Sequence, residues 1–147
     1  MGKSLDALAS YFRPQVDDFL AECASVFGDM TIEDTDRDLQ TQAEDIAAGR
    51  SWTTHSKHLP QPPEMKSEAI DCLPKALLSV KQWGWYGAIE NSDPRWLQMG
   101  EIGEKHGMEW GGRWANNPPH SRPDPGHFQY VHVPAETDTT EVATGEN

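Results

Sequence analysis

Two histidines and two aspartates are the side chains of this 147-residue sequence best suited to metal chemistry. His58 lies in a loop rich in Pro, Ser and Thr, Asp71 interrupts an apolar segment, and His127 begins a second such segment. Two imidazoles and one carboxylate suit a catalytic zinc site, which needs three protein ligands and an open position for water. Asp124 stands three residues before His127, across a Pro-Gly turn, where its carboxylate can lie beside that water.

Spacing alone does not select these residues, because the sequence holds 6 histidines and 24 acidic residues. Surface histidines and solvated acids are the competing interpretation, and Asp124 could instead cap the turn before Pro125. Glu109 is the next candidate for a catalytic base, although its place beside Trp110 also suits a structural or substrate-facing acid. Three other histidines are not expected to be ligands: His55, His120 and His132.

Helical and strand patterns alternate along the chain and would position these residues. Capping and stop signals predict helices over Pro14–Gly28, about Leu39–Ala48, and from Asp93-Pro94 to about His106. Short apolar segments predict strands over Met30–Ile32, Ala69–Leu73 and His127–Val133. Loops are predicted from Ser51 to Lys66 and from the Gly-Gly-Arg-Trp segment through the Pro-rich run.

Asp71 is the least expected residue of its predicted strand. In a strand it shares a face with Ala69 and Leu73, while Ile70 and Cys72 point the other way. Aspartate is depleted in strands, so Asp71 must have a partner. Cys72 on the opposite face predicts a buried free thiol, since one cysteine pair is no disulfide framework.

Composition excludes two classes of partner. The formal net charge is −12, which argues against nucleic acid, because a duplex binder needs a basic face. No segment approaches the roughly 20 apolar residues that span a bilayer. Residues 135–147 carry four acidic and no basic side chains and predict a disordered acidic tail after a single domain over residues 1–134. The first ten residues lack a signal-peptide pattern, which predicts a cytoplasmic protein.

Several segments resemble one family of zinc metallopeptidases, the D-Ala-D-Ala carboxypeptidases and L-Ala-D-Glu endopeptidases. The family pattern has a Ser-x-His, then a Gly-x-Ala-x-Asp, then an acidic residue three positions before a His. The matching segments are Ser56-Lys57-His58, Ala69-Ile70-Asp71 and Asp124-Pro125-Gly126-His127-Phe128. Further matches are Arg37 with Gln42, the segment Gly49-Arg50-Ser51, and the segment Glu109 to Trp114, which resembles the Trp-Gly-Gly-x-Trp motif of the family. The resemblance covers about residues 10 to 133.

The resemblance implies an α+β fold with a small, mainly antiparallel sheet, helices packed on it and zinc on the sheet, as in D-Ala-D-Ala peptidases and hedgehog-like domains. It implies one Zn²⁺ per chain and a peptidoglycan stem peptide as substrate. The implied roles are metal ligation by His58, Asp71 and His127, catalysis by Asp124 with Arg37, and substrate binding by Ser56 and Gln42.

The phage endolysin branch resembles this chain most, because Asp124 replaces the usual Glu. That branch implies an L-alanyl-D-glutamate endopeptidase, monomeric, held in the host cytoplasm until it is released to the cell wall. The alternatives are a D-Ala-D-Ala carboxypeptidase on the same scaffold and a non-catalytic wall-binding module. Two departures concern the loop after His58: the segment Leu59–Glu64 is extra length, and Ser67 replaces the family glycine.

Overall fold

The computed structural model describes residues 2–36, 56–79, 93–115, 117 and 123–132 of the chain. That part of the chain contains two α-helices and four strands. The helices are α1 (Arg13–Phe27) and α2 (Pro94–Lys105), with short 3-10 turns at Leu5–Ala7, Lys75–Ser79 and Gly111–Arg113. The strands are β1 (Met30–Asp34), β2 (Ala69–Pro74), β3 (Glu109–Trp110) and β4 (His127–Gln129).

The four strands form one antiparallel sheet in the order β1-β2-β4-β3. Residues directly opposite each other in such a sheet point to the same side. Asp71 lies opposite His127 on one neighbour and opposite Asp34 on the other, after a bulge in β1. Gln129, two residues beyond His127, lies opposite Glu109. One face of the sheet therefore collects the polar side chains of all four strands.

The opposite face of the sheet carries the core. Ile70 lies opposite Phe128, and Phe128 lies opposite Trp110, so these three side chains form a row under the helices. From α1, Phe19 packs against Phe128 with ring centroids 4.6 Å apart. Both cysteines, Cys23 and Cys72, are buried free thiols in this core, as the sequence predicts.

Both described helices begin and end where the sequence predicts. Pro14 takes the first turn of α1, and Gly28 ends that helix with a φ of 82°. The Asp93 side chain accepts a hydrogen bond from the backbone N–H of Arg95 at 2.9 Å, which caps α2. Among the described residues, no helix is long and apolar enough to cross a membrane.

The α+β prediction is confirmed, and one strand prediction needs correction. The predicted strand His127–Val133 ends at Gln129, because both neighbouring strands end their pairing opposite that residue. The structure adds a strand at Glu109–Trp110 that the sequence did not predict, and the predicted loop after it begins with a 3-10 turn, Gly111–Arg113. The predicted helix Leu39–Ala48 and tail 135–147 lie outside the described residues.

Close approach of α2 to β4 gives a stability prediction. A Cβ built on Gly103 would lie 2.3 Å from Cε2 of Phe128. Alanine normally favours a helix interior by about 1 kcal/mol over glycine, but overpacking costs about 1–3 kcal/mol. A contact of 2.3 Å lies at the severe end of overpacking, so the net loss is about 2 kcal/mol. Gly103→Ala should therefore lower the melting temperature by about 4 to 8 °C, measured by calorimetry. Glu101→Ala, at an exposed site of the same helix, should change it little. A Gly103→Ala protein as stable as this control would contradict the packing.

Candidate metal centre

Three predicted ligands converge on the polar face of the sheet. His58, Asp71 and His127 each offer one ligand atom, and these atoms all lie within 4.8 Å of one another. Strand pairing places Asp71 beside His127, and the turn at residues 56–59 brings His58 from the other side. The side chains of His58 and His127 are 2% and 6% exposed and that of Asp71 is 23% exposed, so access from solvent is through the carboxylate.

Local hydrogen bonds fix the backbone and ring of His58. Its backbone N–H donates to Ser56 Oγ at 3.1 Å, and the backbone N–H of Leu59 donates to the Ser56 carbonyl at 3.1 Å. Its ring Nδ1 donates to the Thr35 carbonyl at 3.1 Å. The Ser67 hydroxyl donates to the same carbonyl. Ser56 therefore shapes the turn that presents the His58 ring, and its hydroxyl faces the backbone.

The His127 ring is held in a similar way from its own strand. Nε2 lies 2.8 Å from Gln129 Oε1, and an amide oxygen can only accept, so Nε2 carries the proton. Trp114 packs against the ring with centroids 4.9 Å apart. This arrangement leaves Nδ1 of His127 turned inward, 3.0 Å from Asp71 Oδ1.

Both inward nitrogens face the same carboxylate oxygen. His58 Nε2 is 3.1 Å from Asp71 Oδ1, and this buried nitrogen makes no hydrogen bond within the described structure. With the outer nitrogens protonated, neutral rings would turn two lone pairs toward an anion. That arrangement is repulsive unless a cation lies among the three groups. The donor set therefore fits a metal ion.

Electrostatics at the site agree with this reading. Burial raises the pKa of Asp71, but the charge of His58 and the hydrogen bond from His127 outweigh it, so the pKa lies well below its ordinary value. Burial lowers the pKa of His127, and the hydrogen bond and charge of Asp71, with the charge of Asp124, raise it to about 9. In the absence of metal, a proton takes the cation's place.

Asp124 lies on the turn that leads into β4. Its backbone N–H donates to the Gly111 carbonyl at 2.9 Å, and its carbonyl accepts from the His127 N–H at 3.1 Å. A Cβ on Gly111 would lie 2.5 Å from the Asp124 carbonyl oxygen, so only glycine allows this approach. The indole of Trp110 donates to the next carbonyl, that of Pro125, at 2.8 Å. The Asp124 carboxylate is thus held close enough to influence His127, and it is half-buried.

Sequence reasoning missed three contributors to the site. Asp34 is buried with Oδ2 4.0 Å from His58 Nδ1, and Thr35 contributes only its carbonyl. Gln129 could have been predicted from the sequence, because it lies two residues after His127 and residues two apart on a strand share a face. Of the other predicted site residues, Arg37 and Gln42 lie outside the described part. His132 is not in the cluster and bonds to Glu68 at 2.8 and 2.9 Å.

Comparison with known proteins agrees with the geometry. The crystal structure of the Serratia marcescens L-Ala D-Glu endopeptidase ChiX has a similar fold, with a TM-score of 0.53 and 19% sequence identity over 86% of this chain and 83% of that one. A search of curated protein sequences gave no match. A sequence profile described as D-alanyl-D-alanine carboxypeptidase matches residues 49–130, more than half of the chain, including all three clustered residues. The chain belongs to this D-alanyl-D-alanine carboxypeptidase family of peptidases.

Proposed function

We propose that this protein is a zinc-dependent peptidase that hydrolyses an amide bond in the peptidoglycan stem peptide. The single observation that carries the proposal is the convergence of His58, Asp71 and His127 in a chain of this peptidase family. The outward ring nitrogens of the two histidines are already hydrogen-bonded, so their other nitrogens face the centre of the cluster. Three protein ligands leave the fourth position of a tetrahedral zinc ion for water, as catalytic sites require.

Distances within the cluster support zinc. Tetrahedral zinc with bonds of about 2.0–2.1 Å places neighbouring ligand atoms about 3.3 Å apart. Asp71 Oδ1 lies 3.1 Å from His58 Nε2 and 3.0 Å from His127 Nδ1. Imidazole and carboxylate together suit zinc better than magnesium or calcium, which prefer oxygen ligands alone. Thr35 and Gln129 then act as the outer partners that orient ligand rings in such sites.

Hydrolysis needs a base beside the attacking water and a donor for the leaving amine. When bound, zinc lowers the pKa of a coordinated water to about 7 and polarises the amide carbonyl. Asp124 would take a proton from the water whose oxygen attacks the carbonyl carbon, and it would give that proton to the leaving nitrogen as the C–N bond breaks. We assign to Arg37 the stabilisation of the oxyanion, and to Ser56 and Gln42 contacts to substrate or ligands.

The bond that we propose is the one between L-Ala and D-Glu, cut by an endolysin of phage type. The Asp before the last His supports that branch, and the structural neighbour is itself named an L-Ala D-Glu endopeptidase. In this role the enzyme is a monomer that stays in the host cytoplasm until it is released to the cell wall. The family description favours a second candidate, a D-Ala-D-Ala carboxypeptidase that trims a free terminus. The muropeptides that digestion releases distinguish the endopeptidase from the carboxypeptidase.

Metal content is the first test. The protein should hold about one zinc per chain, and a chelator should remove it together with activity. His58→Ala, Asp71→Ala and His127→Ala should each lose the metal, since each removes one of three ligands. His106→Ala is the matched control, because that ring pairs with Glu22 away from the cluster. Elemental analysis that finds full zinc in His127→Ala would overturn the ligand assignment.

The second test concerns the base. Asp124→Asn keeps the size of the side chain and the backbone bonds of the turn but cannot accept a proton. Zinc should stay bound, while kcat should fall on the order of a hundredfold to ten-thousandfold. Turnover by Asp124→Asn at the wild-type rate would show that another group accepts the proton.

The third test identifies the bond. Digestion of purified sacculi should free a new amino terminus on D-Glu and leave L-Ala on the muramic acid. Labelling of new amino termini followed by mass analysis of the muropeptides reads this out, with the zinc-free Asp71→Ala protein as the blank. Free D-Ala without a new D-Glu terminus means a carboxypeptidase, and bound zinc without any product means a wall-binding module.

A further inference from the structure

Glu109 is an acidic residue at the site that the proposed mechanism does not use. It begins β3 directly opposite Gln129, the residue that binds the outer nitrogen of His127. Opposite residues share a face of the sheet, so its carboxylate lies on the metal side. Its oxygen Oε2 accepts a hydrogen bond from the indole Nε1–H of Trp114 at 2.8 Å.

Trp114 connects this carboxylate to a ligand. The 3-10 turn Gly111–Arg113 brings the chain back on itself, and the Trp114 backbone N–H donates to the Gly111 carbonyl at 3.1 Å. The indole then lies against His127, with centroids 4.9 Å apart and planes tilted by 48°. Backbone and side chain of Trp114 are therefore both held, and its ring forms one wall of the His127 site.

We propose that Glu109 is a positioning residue that acts on His127 through Trp114. Gln129 and Asp71 contact the two nitrogens of the His127 ring, but these two contacts leave the ring plane free to tilt about the line that joins the nitrogens. The indole blocks the tilt, and the Glu109 carboxylate keeps the indole from swinging toward solvent. The inference rests on the proposed function, since it treats His127 as a ligand, and it removes Glu109 as a candidate for the base.

Four variants test the chain of contacts. Glu109→Gln keeps an acceptor oxygen for the indole, and Glu109→Leu removes it at similar size. Trp114→Phe keeps an aromatic ring and removes the N–H donor. The double variant Glu109→Leu/Trp114→Phe completes a double-mutant cycle. The first readout is NMR of the metal-free protein: the ring-current shift of the His127 ring protons, imposed by the indole, and hydrogen exchange of the Trp114 indole N–H. The second readout is the rate at which a chelator removes zinc.

In Glu109→Leu the His127 ring protons should lose the ring-current shift, the indole N–H should exchange quickly, and zinc should leave on the order of ten to a hundred times faster. Glu109→Gln should behave like wild type in every readout. The double variant should release zinc no faster than Trp114→Phe alone, because both substitutions break one connection. On sacculi, kcat should fall in Glu109→Leu while KM stays close to the wild-type value.

Two results would overturn the proposal. If Glu109→Gln retains zinc but loses turnover at least a hundredfold, the carboxylate is a catalytic acid or base. If Glu109→Leu leaves the His127 shifts unchanged, Trp114 does not depend on Glu109. The NMR readout requires neither zinc nor peptidoglycan, so failure of the wild-type protein to bind zinc or cleave sacculi would count against the proposed function alone.

Discussion

A carboxylate in the middle of a buried strand is the constraint on which the site depends. Taking an ion out of water costs several kcal/mol, and Asp71 has apolar residues on both sides along β2. Two imidazoles meet its oxygen at 3.0 and 3.1 Å, but their outer nitrogens already donate to Thr35 and Gln129. Asp34 and Asp124 add further negative charge nearby. A cation shared by the three ligands stabilises this arrangement of side chains.

The apolar face of the sheet determines where these ligands point. Phe128 lies between His127 and Gln129 and packs into the core, against Phe19 and close to Gly103. Side chains alternate along a strand, so burial of Phe128 sends both of its neighbours to the polar face. A slip of one residue in β4 would turn the imidazole toward the apolar core and the phenyl ring toward the polar face. Hydrophobic packing under the sheet thus fixes the geometry of the metal face.

Helix ends and the Asp71 strand could be read from the sequence because their signals are local. Asp93-Pro94 caps a helix by its own hydrogen bond, and an aspartate inside an apolar strand implies a partner. The ligand set itself came from the family resemblance, since 6 histidines and 24 acids leave many choices. Two features had no local signal. The strand at Glu109 has two residues, and the Thr35 contact uses a backbone carbonyl, which every residue possesses.

The long loop after His58 shows why ligand spacing in sequence can vary while the site stays fixed. Ser56, before the loop, shapes the His58 turn, and Ser67, at its end, donates to the same Thr35 carbonyl that His58 uses. Between these two serines, Gln61 and Lys66 form an antiparallel β-bridge that closes the loop.

Contacts to the segment before α1 then anchor the closed loop. Glu64 accepts from the Ser10 backbone N–H at 2.7 Å, and the Tyr11 hydroxyl donates to the Pro62 carbonyl at 3.4 Å. Closure entropy grows only with the logarithm of loop length, so a few extra residues cost less than about 1 kcal/mol. Because both ends of the loop return to one carbonyl, the extra residues do not displace His58 from Asp71. Residues of this loop form part of the surface beside Ser10 and Tyr11, and Pro60 and Met65 line a cavity together with His58.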